Sequence, residues 1–192
     1  MTPELVQLVN PDGATIGQAE KLAVHRGEGA LHRAVSVFLV DGTSRALLQR
    51  RAPSKYHFAG LWANACCTHP GPDESTEQAA TRALQNELGI APSIFEVGTL
   101  IYEARDPRSG LIEREYDHVF VGVWNHALKV SSTETEAIEW LPAKYVRLRF
   151  EEQPETIAPW FPLVVDRVCR HSVAPHAATP SEVLTFCRAF EA

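Results

Sequence analysis

Long apolar runs, blocks of basic residues and internal repeats are all missing from this chain, and each absence closes off a class of function. No stretch approaches the roughly 20 apolar residues that a membrane-spanning helix needs. Lys and Arg number 18 against 24 Asp and Glu, a formal charge of −6, and the cations form no cluster. The long-range field therefore repels a polyanion. Nucleic acid is excluded as a partner on this reading, and a small anionic substrate needs a local basic pocket. Met1 to Asn10 hold neither a basic leader nor the apolar core of a signal peptide, so a cytoplasmic protein is expected. Cysteine is scarce, with Cys66, Cys67, Cys169 and Cys187 the full set. The adjacent pair Cys66 and Cys67 is poorly placed for an unstrained bridge, and free thiols are expected in a reducing compartment.

What is present fits an ordinary globular protein. The 192 residues are 45% hydrophobic and 22% charged, enough to bury one core. Apolar runs bounded by Gly, Pro and charge predict strands at Val6–Asn10, Ala34–Asp41, Ala46–Arg50, Trp62–Ala65, Phe95–Tyr102, Tyr116–Trp124 and Glu136–Leu141. A helix is expected over Thr76–Leu88. Ser75 and Gln78 offer a capping box there, Ala80, Leu84 and Leu88 form the apolar stripe, and Gly89 supplies the stop. A second helix begins near Pro159, and a third follows Pro180 and Ser181 toward Phe190. The fold class is α+β, a mixed sheet and helix sandwich. One domain spans 1–171, and 172–192 read as a linker and a terminal helix of unassigned role.

The chemistry-bearing residues are spread along the chain. His25 and His32 lie seven residues apart, His69 follows a predicted strand, and Glu113 and Glu115 share one. Side chains alternate on an extended segment, so Glu113, Glu115 and Asp117 project from one face while Ile112, Arg114 and Tyr116 project from the other. Three imidazoles and two carboxylates form a nitrogen and oxygen set suited to zinc or manganese, with magnesium a third option. Cys67 stands two residues before His69, and a cation held nearby would favour its thiolate, letting it trade a proton near neutral pH. Cys66 reads as a small buried hydrophobe. Lys21, Arg51 and Lys55 are the cations available to a diphosphate.

Measured back from Gly89, the helix contains Glu74, Arg82, Leu84, Glu87, Gly89 and Ile90. That pattern resembles the Nudix box, a glutamate-rich helix that holds magnesium on a diphosphate. Ala83 and Asn86 occupy places where Nudix hydrolases carry glutamates, so the carboxylate cluster of that helical face shrinks to Glu87. Together with NACCTHP at Asn64–Pro70 and the segment Tyr102–Gly122, including Asp106, Gly110 and Asp117–His118–Val119, the chain resembles the type 1 isopentenyl diphosphate isomerases, a branch of the Nudix superfamily. The likeness runs from about Leu8 to about Arg170.

The resemblance implies a Nudix-type sandwich with an extra N-terminal strand and C-terminal helices. It implies a divalent metal on His25, His32, His69, Glu113 and Glu115, and a second ion, magnesium, held with the substrate diphosphate by Glu87. Cys67 and Glu115 become the acid/base pair, Tyr102 a hydrogen-bond partner of that carboxylate, and Trp160 the aromatic face for a carbocation. The partner is then an isoprenoid diphosphate, with a monomer favoured. Two rivals stand beside this reading. One is a Nudix diphosphohydrolase on a nucleotide-type substrate, opposed by Ala83 and Asn86. The other is a non-catalytic module in which a metal only holds the N-terminal arm.

Overall fold

The computed structural model describes residues 4–172 and 179–192, so the first residues of the N-terminal segment and most of the expected linker lie outside the described residues. From the N-terminus run β1 (Leu5–Val9), β2 (Thr15–Glu20), the single-turn α1 (Lys21–Val24), β3 (His32–Val40) and β4 (Arg45–Arg51). Then come β5 (Trp62–Ala63), β6 (Cys66–Thr68), α2 (Thr76–Leu88), β7 (Ile94–Arg105) and β8 (Ile112–Val123). The chain continues through β9 (Thr135–Pro142), α3 (Ala143–Glu152), α4 (Phe161–Ser172) and α5 (Ser181–Glu191). All nine described strands join one mixed sheet. Among the described residues no helix is long and apolar enough to cross a membrane.

β3 is the hub, pairing antiparallel with β1, β4 and β6 and parallel with β8 over its whole length. A strand covered on both faces is apolar on both faces, and β3 obeys this from Val37 to Val40. Val35, Val37 and Leu39 pack under α2 with Ala80, Leu84 and Leu88. Phe38 and Val40 point the other way, into a core with Val164 and Val168 of α4 and Val183 and Phe186 of α5. The terminal helix is thus part of the main core. Fully burying such side chains contributes about 1.5–3 kcal/mol each, which ties both helical layers to one strand.

Several expectations needed adjustment. The predicted strand at Trp62–Ala65 is split, because the buried Asn64 amide leaves the ladder to donate to the Val37 and Cys66 carbonyls. The N-terminal addition is a hairpin of two strands rather than one; the polar, exposed β2 lacks an apolar alternation. α3 was missed as well. It buries only Ala143 and Val146, too little periodicity to register, and follows β9 without a turn signal. β7 and β8 are longer than their apolar runs, since Glu103 to Arg105 and Ile112 to Glu115 continue the ladder with polar side chains.

The end of α2 shows why Gly89 is needed. Its backbone is left-handed at φ 67° and its N–H returns to the Gln85 and Leu84 carbonyls, while an added Cβ would meet Lys129 Cβ at 2.8 Å. Gly89→Ala is expected to lower the unfolding free energy by about 1–2 kcal/mol, read from the urea midpoint. An unchanged midpoint would show that this cap can be met without glycine.

Candidate active site

Strand register assembles the site. His32 lies opposite Glu115 on the parallel β3–β8 ladder, Tyr102 opposite Glu115 on β7–β8, and Ser36 opposite Cys67 on β3–β6. Period two puts Glu113, Glu115 and Asp117 on the face that continues into Val119 and Val121, the face toward α4 and α5. The same rule separates the adjacent cysteines. Cys66 packs into the α2 layer and Cys67 turns to the opposite one.

His25 reaches this face from the loop after α1, latched by Ile112 N–H donating to its carbonyl at 2.8 Å. Its Nδ1 sits 3.1 Å from the Ile112 carbonyl, which can only accept, so Nδ1 carries the proton and Nε2 is left buried without a partner. His32 repeats the arrangement, with Nδ1 2.8 Å from the Ala30 carbonyl. Its Nε2 lies 3.1 Å from His69 Nε2, which in turn is 2.9 Å from Glu115 Oε1. Ligating atoms of His25, His32, His69 and Glu113 all fall within 4.8 Å of one another. Glu113 Oε2 is also buried and unpartnered. Lone pairs crowded in this way repel until a cation sits among them, so the residues present fit a divalent metal with nitrogen and oxygen ligands.

The electrostatics agree. Burial, then the neighbouring His32, lowers His25 to about 4, and burial lowers His69 to about 4 despite its bond to Glu115. Neutral imidazole is the form that ligates. Burial opposes charge on Glu115, but the His32 and His69 imidazoles beside it, at 3.7 and 2.9 Å, outweigh it and hold that carboxyl well below its ordinary range. Burial and the Glu115 charge push Glu113 well up. Two adjacent buried carboxyls thus share one proton, as like charges require. Tyr102 Oη donates to Glu115 Oε2 at 2.5 Å.

A cavity of about 260 Å³ opens against this cluster, lined by Cys67, His69, Tyr102, Glu113, Glu115 and Trp160 among others. His25 and His32 lie behind it, fully buried. The Cys67 thiol is held by Asn64 Oδ1 at 3.4 Å and Ser36 Oγ at 3.5 Å. Burial, then the Asp117 carboxyl, pushes it up to about 12. With only protein groups around it, burial outweighs the Arg51 charge and favours the protonated thiol; a cation held nearby acts in the opposite direction.

Lys21, Arg51, Lys55 and Glu87 line the same cavity. Lys21 pairs with Glu4 at 3.0 Å and Lys55 with Glu134 at 2.6 Å. Arg51 departs from a simple surface cation. It is buried, donates to the Phe58 and His57 carbonyls at 3.1 Å, and stacks over Trp160 at 5.2 Å. Glu87 is raised to about 7, chiefly by burial. Ala83 and Asn86 also face the cavity, so the wall that would carry further carboxylates does not. Sequence reasoning missed two residues here. Arg82 lines the mouth while paired with Glu74, and its place in the helical box was the available signal. His57 contacts Glu113 directly; nothing in its spacing marked it.

The NUDIX domain family matches residues 30–161, and the chain is a Nudix-domain protein. A Deinococcus radiodurans protein superposes with a TM-score of 0.68 at 19% identity, covering 84% of this chain and 97% of that one. A MutT protein of Methanosarcina mazei gives 0.62 at 20%, over 75% and 96%; both likenesses concern the fold alone. Within that class the chain belongs to the isopentenyl-diphosphate Delta-isomerases. It is 45% identical to the Streptomyces griseus protein of that name over 84% of this chain and 82% of that one. It is 40% identical to the Nocardia farcinica protein of the same name, over 84% and 92%.

A raised Glu113 has a measurable consequence. A cation entering the cluster must displace the proton that this carboxyl holds. Manganese or zinc binding at neutral pH is expected to release a proton, measured by calorimetry in buffers of different ionisation enthalpy, and Glu113→Gln should abolish the release.

Proposed function

We propose that this protein interconverts isopentenyl diphosphate and dimethylallyl diphosphate, with Cys67 and Glu115 as its acid/base pair. The observation that carries the reading is that this thiol and this carboxylate open on one cavity while each is held by its own hydrogen bonds. The name shared by its relatives supports the same conclusion.

Protonating an unactivated alkene at its terminal carbon creates a tertiary carbocation, so one group must deliver that proton and another must remove one from the carbon on the other side of the cationic centre. The pair carries one transferable proton between them: in the metal-free protein the thiol holds it and the carboxylate lacks it. The reaction is reversible, and the two exchange roles with direction. Water must be kept from trapping the cation. Tyr102 and Trp160 both line the cavity, their rings 6.1 Å apart, giving an aromatic wall whose quadrupoles favour a cation, and Phe58 packs on Trp160 at 5.4 Å. The cavity lies below the ~300–1,000 Å³ range of common ligand pockets, which suits a five-carbon chain better than a nucleoside.

His25, His32, His69, Glu113 and Glu115 would hold manganese or zinc, and Glu87 would help hold magnesium on the diphosphate beside Lys21, Lys55 and Arg51. When bound, these ions supply fixed positive charge that keeps Glu115 ionised and neutralises substrate oxygens. Every group named comes from one chain, which supports action as a monomer. The free cysteines support a reducing, cytoplasmic setting.

Incubation with isopentenyl diphosphate in heavy water, with manganese and magnesium, is expected to place deuterium on carbon in the allylic product. Cys67→Ala and Glu115→Gln should each lower turnover by about 10²–10⁴ while substrate still binds. Phosphate release without an allylic product would instead favour the hydrolase.

A further inference from the structure

His57 takes no part in the chemistry proposed above, yet the fold invests heavily in its position. It sits in the loop between β4 and β5, is 5% exposed, and places Nε2 against Glu113 Oε1. That contact leaves Nδ1 buried without a partner. The ring packs in one cluster with Tyr56 and His25, whose centroids are 4.2 and 5.1 Å away.

The next residue shows what holds the loop. Phe58 is left-handed at φ 48°, unusual for a bulky side chain. Its N–H donates to Asp106 Oδ2 at 3.1 Å, and its carbonyl accepts from Arg51 Nε while Arg51 Nη2 takes the His57 carbonyl. Asp106 is itself fixed in the β7–β8 turn by Ser109 Oγ at 2.7 Å and Arg108 N–H at 3.0 Å. Two separate loops are therefore fastened to each other at the residue following His57. That gives Asp106 and the buried Arg51 a common purpose.

We infer that His57 is a positioning residue of the metal centre, donating its Nε2 hydrogen to Glu113 Oε1 so that the carboxylate presents its other oxygen to the ion. Glu113 Oε2 is the oxygen left buried without a partner, and it lies 3.5 Å from His25 Nδ1. A ligand carboxylate that is free to rotate between two faces binds less tightly than one fixed from behind. The inference rests on the metal-centre reading, and its test keeps the two apart.

The full chain, stripped of metal, is titrated with manganese or zinc alone against a fluorescent chelator. His57→Phe keeps a ring but no donor, and His57→Gln keeps an N–H. His57→Phe is expected to weaken metal binding about 10–100-fold, with His57→Gln recovering most of the loss and all three metal-free proteins unfolding alike. Pulsed paramagnetic resonance on the manganese form should count the same coordinated imidazoles in wild type and His57→Phe. Wild-type affinity in His57→Phe, equal weakening in both variants, or one imidazole fewer would each overturn the assignment. If wild type binds neither ion, or binds equally well after His69→Ala, the metal-centre reading falls and takes this inference with it.

Discussion

Two carboxylates buried side by side are the constraint from which the rest of the structure follows. Glu113 and Glu115 are 3% and 6% exposed on one strand face, and taking such charges out of water costs several kcal/mol each unless partners replace the solvent. The surrounding residues act as those partners. β3 brings His32 beside Glu115, β7 brings the Tyr102 hydroxyl, the N-terminal arm folds back to deliver His25, and the β4–β5 loop delivers His57. The segment after α1 is latched to the sheet at Ile112. A cation in the cluster relieves the remaining repulsion, so metal holding and the folding of the arm share one physical origin.

The same geometry separates this site from a hydrolytic Nudix site. The helix α2 is intact as a structural element, with its capping box and left-handed glycine stop, but the residues it turns to the cavity are Ala83, Asn86 and Glu87. One carboxylate can share an ion with substrate phosphates. It cannot assemble a water-activating cluster by itself. The buried carboxylates stand instead across the cavity on β8, at Glu113 and Glu115. A thiol kept protonated by burial and an ionised carboxylate on the same cavity suit a reaction that adds a proton on one side of a cationic carbon and removes one on the other.

Much of this was legible in the residues. The alternation Glu113, Glu115, Asp117 predicted one strand face because side chains in an extended chain have period two. The Cys66/Cys67 split follows from the same rule, and the capped helix at Thr76–Leu88 carried local signals at both ends. The unread parts lacked such signals. β2 and α3 bury too little to show periodicity. His57 looks like any loop histidine, since its meaning lies in a contact with a residue 56 positions away. Arg51 read as a cation for a diphosphate, and nothing local announces that its guanidinium also turns inward to the loop carbonyls.

The sequence by itself determined the donor types, the faces on which they stand, and the loss of carboxylates from the box, because these depend on residue identity and local backbone period. Only the tertiary structure decided which donors meet and which state each holds. Those outcomes depend on strand register, on burial that raises the Cys67 thiol and lowers the histidines, and on a loop pinned in an unfavourable conformation, none of which is a property of neighbouring residues.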